Sequence, residues 1–213
     1  MTELDKVVEA LDRYCEIEGA EDWDNVGLLV CPLRPAPVTR VLLCVDCTMA
    51  VIDEAAAQGA QLVVAYHPVI FSGWKRITPA AGTKQRVVCA ALAANVAVYC
   101  PHSSLDAKRG GVTDWLAQRL AGSDADVTRP HDTDSSVSGA IRVLDVRPGA
   151  PGLTPAEVSR RLHSAVGEGG YVRAARALGD AAAQERPARR LAVCVGSGGS
   201  ALGGVRGADA LVT

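Results

Sequence analysis

The stretch Gln61–Thr78, QLVVAYHPVIFSGWKRIT, constrains this chain more than any other. Its apolar run from Leu62 to Ala65 stops abruptly at Tyr66-His67-Pro68. A short apolar run bounded by a proline reads as a buried β-strand. Pro68 has no N–H to give to a ladder and pushes His67 out of the helical region, so the strand must end there. In an open α/β sheet, ligands bind at the carboxyl ends of the strands. His67 is therefore delivered to the place where such a sheet keeps its chemistry.

Two neighbouring segments repeat the arrangement. Arg40–Val45 is apolar after its first residue and ends in Asp46. Thr48 is placed to cap a helix Met49–Gln58, which Gly59 closes, and Leu62–Tyr66 follows. This β-α-β unit predicts parallel pairing with a right-handed crossover. Thr83–Ala94 reads as a helix and Val96–Tyr99 as a third strand, running into Pro101-His102-Ser103-Ser104-Leu105-Asp106. Asp46, His67, His102 and Asp106 thus all follow the ends of strands expected to be parallel neighbours. Histidine and carboxylate together suit zinc, iron or manganese. Lys75 and Arg76, on the loop after His67, are candidates to hold a substrate phosphate.

The flanking segments read as follows. Glu3–Ile17 carries Leu4, Val7, Val8, Leu11 and Tyr14 on one helical stripe. Leu28–Val30 is a short strand, and Thr113–Leu120 a helix. Residues 1–122 are expected to form one α/β domain. Residues 123–138, rich in Ser, Asp and Thr, read as a linker or crossover. Residues 139–213 form a second α/β domain. Within it lie a strand Ala140–Val146 with Arg142 pointing outward, and a helix from Thr154-Pro155 to about Val166. His163 on that helix reads as a core or solvated residue. Ala174–Arg190 reads as loop or marginal helix, and Leu191–Val195 and Ala208–Val212 read as strands. Ending at a strand tip, the second domain looks truncated. The expected fold class is two α/β domains with mainly parallel or mixed sheets, layered α/β/α.

Composition narrows the function. With 22 basic against 24 acidic residues the net charge is −2, which leaves no basic footprint for nucleic acid. No apolar run approaches the ~18 residues of a membrane span. The acidic, helical N-terminus resembles no targeting peptide, so a cytoplasmic location is expected. Seven scattered cysteines form no disulfide framework, and Cys44-x-x-Cys47 reads as thiols buried near a strand. Gly196-Ser197-Gly198-Gly199-Ser200-Ala201 fits a dinucleotide fingerprint. The sequence ends 12 residues after Ala201, before the acidic ribose partner expected about 20 residues on could appear, and a tight turn explains the glycines equally well.

Taken in order, WDNVGLLV at 23–30, CVDCT at 44–48, YHPVIF at 66–71, HSSLD at 102–106 with GGVTDWLA at 110–117, and VCVGSGGS at 193–200 resemble one family. It is the Ngg-interacting-factor-3-like family of dinuclear-metal hexamers, which includes the GTP cyclohydrolase I type 2 homologues. The resemblance implies two α/β domains, a two-metal site and self-association into a hexamer. Its ligand pattern is two adjacent histidines before a proline, an aspartate in H-T-x-x-D, and a late Glu and His after a T-G-E run. His67 matches the second histidine and Asp106 the aspartate, which implies a divalent metal at these two residues. Tyr66 takes the place of the first histidine, as in the eukaryotic-type members. Thr213 matches the threonine of T-G-E, so the late Glu and His lie outside this sequence. Asp46 and His102 are then expected to orient the ligands or to bind weakly, with Tyr66 as a poor ligand because a phenol ionises only near pH 10. Two matching ligands are fewer than the three or four of a usual site, so the metal is expected to be weakly held or absent. Two functions follow from the resemblance. One is a metal-dependent hydrolase acting on nucleotide-type substrates. The other is a non-enzymatic oligomeric protein or transcription co-regulator, working through protein partners with a degenerate site.

Overall fold

Apolar patterning sets the elements of the first unit, and they assemble as a layered α/β/α structure. The computed structural model describes residues 3–175 and 186–213. The chain divides into two compact units, Met1–Leu105 and Asp106–Thr213. In the first, helix α1 (Glu3–Cys15) precedes strand β1 (Gly27–Val30). Then come β2 (Val41–Cys44), α2 (Met49–Ala57), β3 (Leu62–Ala65), α3 (Thr83–Ala93) and β4 (Ala97–Cys100). The sheet order is β1-β4-β3-β2. Strands β2, β3 and β4 are parallel, as the crossover spacing predicts, and β1 joins antiparallel on the far edge.

The two faces of this sheet are covered by different helices. Ile52 and Ala55 of α2 and Val87, Val88 and Ala91 of α3 pack with Val63, Ala65 and Val98 on one face. Leu4, Val7, Val8 and Leu11 of α1 pack with Leu62, Ala97 and Tyr99 on the other. Thr48 caps α2 by accepting from the Val51 amide. Gly59, at φ +65°, turns the chain out of α2 in the left-handed conformation that glycine adopts without cost.

The second unit opens within the short helix α4 (His102–Ala107), a segment the sequence reads only as a strand-end loop. It continues with α5 (Val112–Ala121), β5 (Ala125–Thr128), β6 (Arg142–Val146), α6 (Pro155–Val166), β7 (Arg190–Val193), α7 (Gly199–Leu202) and β8 (Ala210–Val212). Its sheet, β5-β6-β7-β8, is mixed: β6 pairs antiparallel with β5 and β7, and β7 pairs parallel with β8. Leu116, Ala117 and Leu120 of α5 and Leu162 of α6 pack on one face of the sheet, Leu202 of α7 on the other.

Three expectations are corrected here. The division falls at Leu105/Asp106 and not near 122, because the buried face of α5 packs with the sheet of the second unit. The supposed linker 123–138 contains β5, whose Ala125 and Val127 point to the core while Asp126 and Thr128 give the segment its polar composition. Arg142 is not outward. It is 1% exposed and donates to Asp114 and to the carbonyls of Ala107, Lys108, Gly139 and Ile141. The expected loop or helix over 174–190 falls largely on residues outside those described. His163 sits on the solvated face of α6.

Thr154 caps α6 as its position before Pro155 predicts, accepting from the Glu157 amide at 3.2 Å. Thr154→Ala is expected to lower the unfolding free energy by about 1 kcal/mol in urea titration. Thr154→Gly is expected to cost only a few tenths of that unit, since the backbone at the cap stays accessible to water.

Candidate functional site

The carboxyl ends of β2, β3 and β4 carry Asp46, Tyr66-His67 and His102. The three strands stop at one edge of the first sheet because they run parallel and in register. His67 and Asp46 meet there: Nδ1 lies 3.0 Å from Asp46 Oδ1. Both are well exposed. The main chain supports this contact, since the His67 amide donates to the Val45 carbonyl at 2.9 Å.

The second imidazole is held more deeply. His102 Nδ1 lies 2.8 Å from both oxygens of Asp24, and the Asp24 side chain is completely buried. Asp24 also accepts from the Ser103 amide at 3.1 Å, the Ser103 hydroxyl at 2.5 Å and the Asn25 amide at 2.8 Å. Burial alone would raise the Asp24 pKa. The hydrogen bonds from Ser103, His102 and Asn25 outweigh it and hold the carboxyl below its ordinary range. Asn25 in turn donates to the Ile70 carbonyl at 2.7 Å, tying the loop before β1 to the loop after His67.

His102 adopts φ +29°, a left-handed backbone that a non-glycine residue seldom takes. Such a conformation costs of order 1–3 kcal/mol and persists only where the surroundings over-determine it. Here the Asp24 contacts do so. The rings also pack: His102 lies 5.7 Å from His67 and 5.8 Å from Tyr66, both edge-on, and Tyr66 lies 5.2 Å from His67. Trp23 closes the rim at 6.2 Å from His102 and 6.1 Å from Phe71.

Chemically, each imidazole gives its Nδ1–H to a carboxylate and so keeps Nε2 as its remaining ring nitrogen. That is how metal-ligating histidines are held. The donors therefore fit the imidazole half of a site for zinc, iron or manganese. Among the described residues, no group of three or more His, Cys, Asp or Glu side chains is arranged to hold a metal ion. The nearby thiols add nothing to the set. Burial pushes Cys47 and Cys100 up to about 12, so both stay protonated at neutral pH.

Asp106 is buried one turn beyond His102 on α4. Lys75 and Arg76 are exposed on their loop. Gly198 is explained by packing, because a Cβ there would sit 2.6 Å from the Cys194 sulfur. Thr213 Oγ1 takes up the Gly198 amide and donates to the Gly196 carbonyl, closing that turn within the chain. Asp24, Ser103 and Trp23 are not singled out individually by the sequence. Only the runs WDNVGLLV and HSSLD mark their neighbourhoods, and Asp24 gains its role from a partner 78 positions away.

A family model described as Duf34/NIF3 (NGG1p interacting factor 3) matches residues 2–213. NIF3-like protein 1 of Drosophila melanogaster is 33% identical over 210 residues, 99% of this chain and 68% of its own length. NGG1-interacting factor 3 of Saccharomyces cerevisiae is 37% identical over 126 residues, 55% of this chain and 44% of its own. The chain thus spans less than half of the yeast relative it matches. Among solved structures, Staphylococcus aureus protein SA1388 superposes with a TM-score of 0.69 at 20% identity, covering all of this chain and 79% of that one. The Bacillus cereus protein related to NIF3 gives 0.68 at 16% identity, covering 98% and 81%. At these identities the structures establish a shared fold.

Proposed function

The chain belongs to the Duf34/NIF3 family, and from that premise we propose that it is a divalent-metal-binding protein with hydrolytic activity on nucleotide-type substrates. The observation that carries this reading is the pair of imidazoles 5.7 Å apart, each held at Nδ1 by a carboxylate. His67 is the proposed ligand, and Asp106 is added by the resemblance. A bound divalent metal supplies a water of lowered pKa and polarises a phosphoryl or ring oxygen.

The chain's own residues do the rest. Asp46 fixes the His67 ring and its tautomer. Asp24 does the same for His102, whose ring walls the site beside Tyr66. Lys75 and Arg76 are proposed to take a substrate phosphate. Metal analysis of the purified protein tests the reading. His67→Ala is expected to abolish stoichiometric metal, and Asp46→Asn to weaken affinity about 10–100-fold, as loss of an orienting partner does. Equal metal content in the native protein and His67→Ala would overturn it.

A second reading, an oligomeric protein that acts through protein partners, is favoured by one observation. Trp23 and Phe71 pair at the rim with more than half of each side chain exposed, and aromatic residues anchor protein interfaces. The yeast relative is named an interacting factor. A native protein that holds no metal but loses a partner on Trp23→Ala would favour this reading.

A further inference from the structure

Aromatic residues are scarce in this chain, 4% in all with a single phenylalanine, yet three of them gather at the carboxyl edge of the first sheet. Trp23, Phe71 and Tyr66 join His102 and His67 in one run of neighbouring rings. Tyr66 is half-buried at the inner end. Trp23 and Phe71 form the outer end, 61% and 55% exposed. Among the described residues, the hydrophobic clusters that make up the cores contain neither of them, so core packing does not account for their presence. The backbone beside each ring is nonetheless fixed. Asp24, next to Trp23, has its carboxylate buried among donors from Ser103, His102 and Asn25. Glu21, two positions before Trp23, gives its amide to the Ser103 hydroxyl at 3.1 Å. Asn25 holds the carbonyl of Ile70, which precedes Phe71, so one side chain ties together the two loops that present the rings. Aromatic side chains with only two χ angles on a fixed backbone lose little freedom when a ligand packs on them.

We propose that Trp23 and Phe71 are the stacking surface for a planar heteroaromatic ring. On the nucleotide-type reading given above, on which this rests, that ring is the base of the substrate, and the pair positions it at the mouth of the site. Bases stack on exposed aromatic side chains through their π-faces, whatever hydrogen-bonding edge they carry. Trp23 lies 6.2 Å from His102, and His102 lies 5.7 Å from His67, so a base on the indole is a neighbour of the imidazole pair. Lys75 and Arg76 follow Phe71 on the same loop, where a phosphate joined to that base can meet a cation. The extent of the patch fits a small ligand. An aromatic side chain buries about 150–250 Å² when wholly enclosed, so two half-exposed rings offer on the order of 200 Å². A standard protein interface takes about 800 Å² from each partner. Asp22 and Ser72, the exposed residues beside the two rings in sequence, are polar, so the apolar surface does not continue through them.

Adenosine monophosphate and ribose 5-phosphate share a phosphorylated sugar and differ in the ring, so together they isolate its contribution. Isothermal titration calorimetry of the full chain is expected to show the nucleotide binding at least about tenfold more tightly, a difference of roughly 1.4 kcal/mol. Trp23→Ala is expected to weaken nucleotide binding about 5- to 150-fold, which corresponds to the roughly 1–3 kcal/mol of one stacked base. Ribose 5-phosphate affinity and metal content are expected to stay at their native values, which a general collapse of the site would not allow. Trp23→Phe keeps a π-face and is expected to retain most of the affinity; Trp23→Leu keeps apolar bulk without one and is expected to lose it. Saturation-transfer NMR is expected to mark the base protons of the bound nucleotide more strongly than its ribose protons, and Trp23→Ala to remove that preference. Equal native affinity for the two compounds would overturn the proposal. So would a folded Trp23→Ala variant that binds the nucleotide as the native protein does, including one that has lost a protein partner. A native chain that holds no metal but loses nucleotide binding on Trp23→Ala would refute the metal reading and support the stacking surface.

Discussion

Asp24→Ala is expected to lower the unfolding free energy by about 3 kcal/mol or more. The carboxylate is fully buried and satisfies the Ser103 amide and hydroxyl, the His102 ring and the Asn25 amide. Deleting it leaves several donors without a partner in a region closed to water, at about 1–3 kcal/mol for each group left unsatisfied. It also removes what holds His102 at φ +29°, so that backbone is expected to relax and the His102 ring to leave its place beside His67. Urea titration measures the first effect, and the chemical shift and line width of the His102 ring protons the second. The pH dependence has a definite sign. The native carboxyl titrates below its unfolded value of about 3.9. Its contribution is therefore fully present above that value and is lost as pH falls through the lower native one. The difference in stability between the native protein and Asp24→Asn is expected to be constant near neutrality and to shrink on acidification. A gap that widens in acid would contradict this assignment.

Arg142→Met is expected to cost about 3–5 kcal/mol, the range for removing one member of a buried ion pair. Among the described residues Arg142 is the only arginine with a buried side chain, and its guanidinium binds Asp114 together with four backbone carbonyls. Asp114 stays ionised and partly shielded when its partner goes. Burial would raise the Asp114 pKa, yet hydrogen bonds from Arg142 and the Gly110 amide hold it below its ordinary range. Arg142→Met combined with Asp114→Leu is therefore expected to recover part of the loss, because the uncompensated charge disappears with it. Equilibrium unfolding of the two single variants and the double variant gives the coupling directly. Arg142→Lys is expected to behave like Arg142→Met, since an ammonium cannot span the carbonyls of Ala107 and Gly139 and the Asp114 carboxylate at once.

Local sequence already determined the strand ends at His67 and Asp46, the parallel order of β2, β3 and β4, and the caps of α2 and α6. Each rests on spacing that a few neighbouring residues set: an apolar run closed by Pro68, a crossover of usable length, a threonine placed before a helix. The five ordered motifs likewise carried the family without any coordinates. Tertiary structure decided the rest, because those features depend on residues far apart in the chain. Ala125 and Val127 become a strand only when β6 lies beside them, so polar composition masks β5. Arg142 reads as outward by alternation, but the carbonyls of Ala107, Lys108 and Gly139 and the Asp114 carboxylate draw its guanidinium inside. Asp24 looks like one more acid in a loop until the turn at His102 meets it. Periodicity reports which way a side chain faces along its own element, and only packing reports what waits for it there.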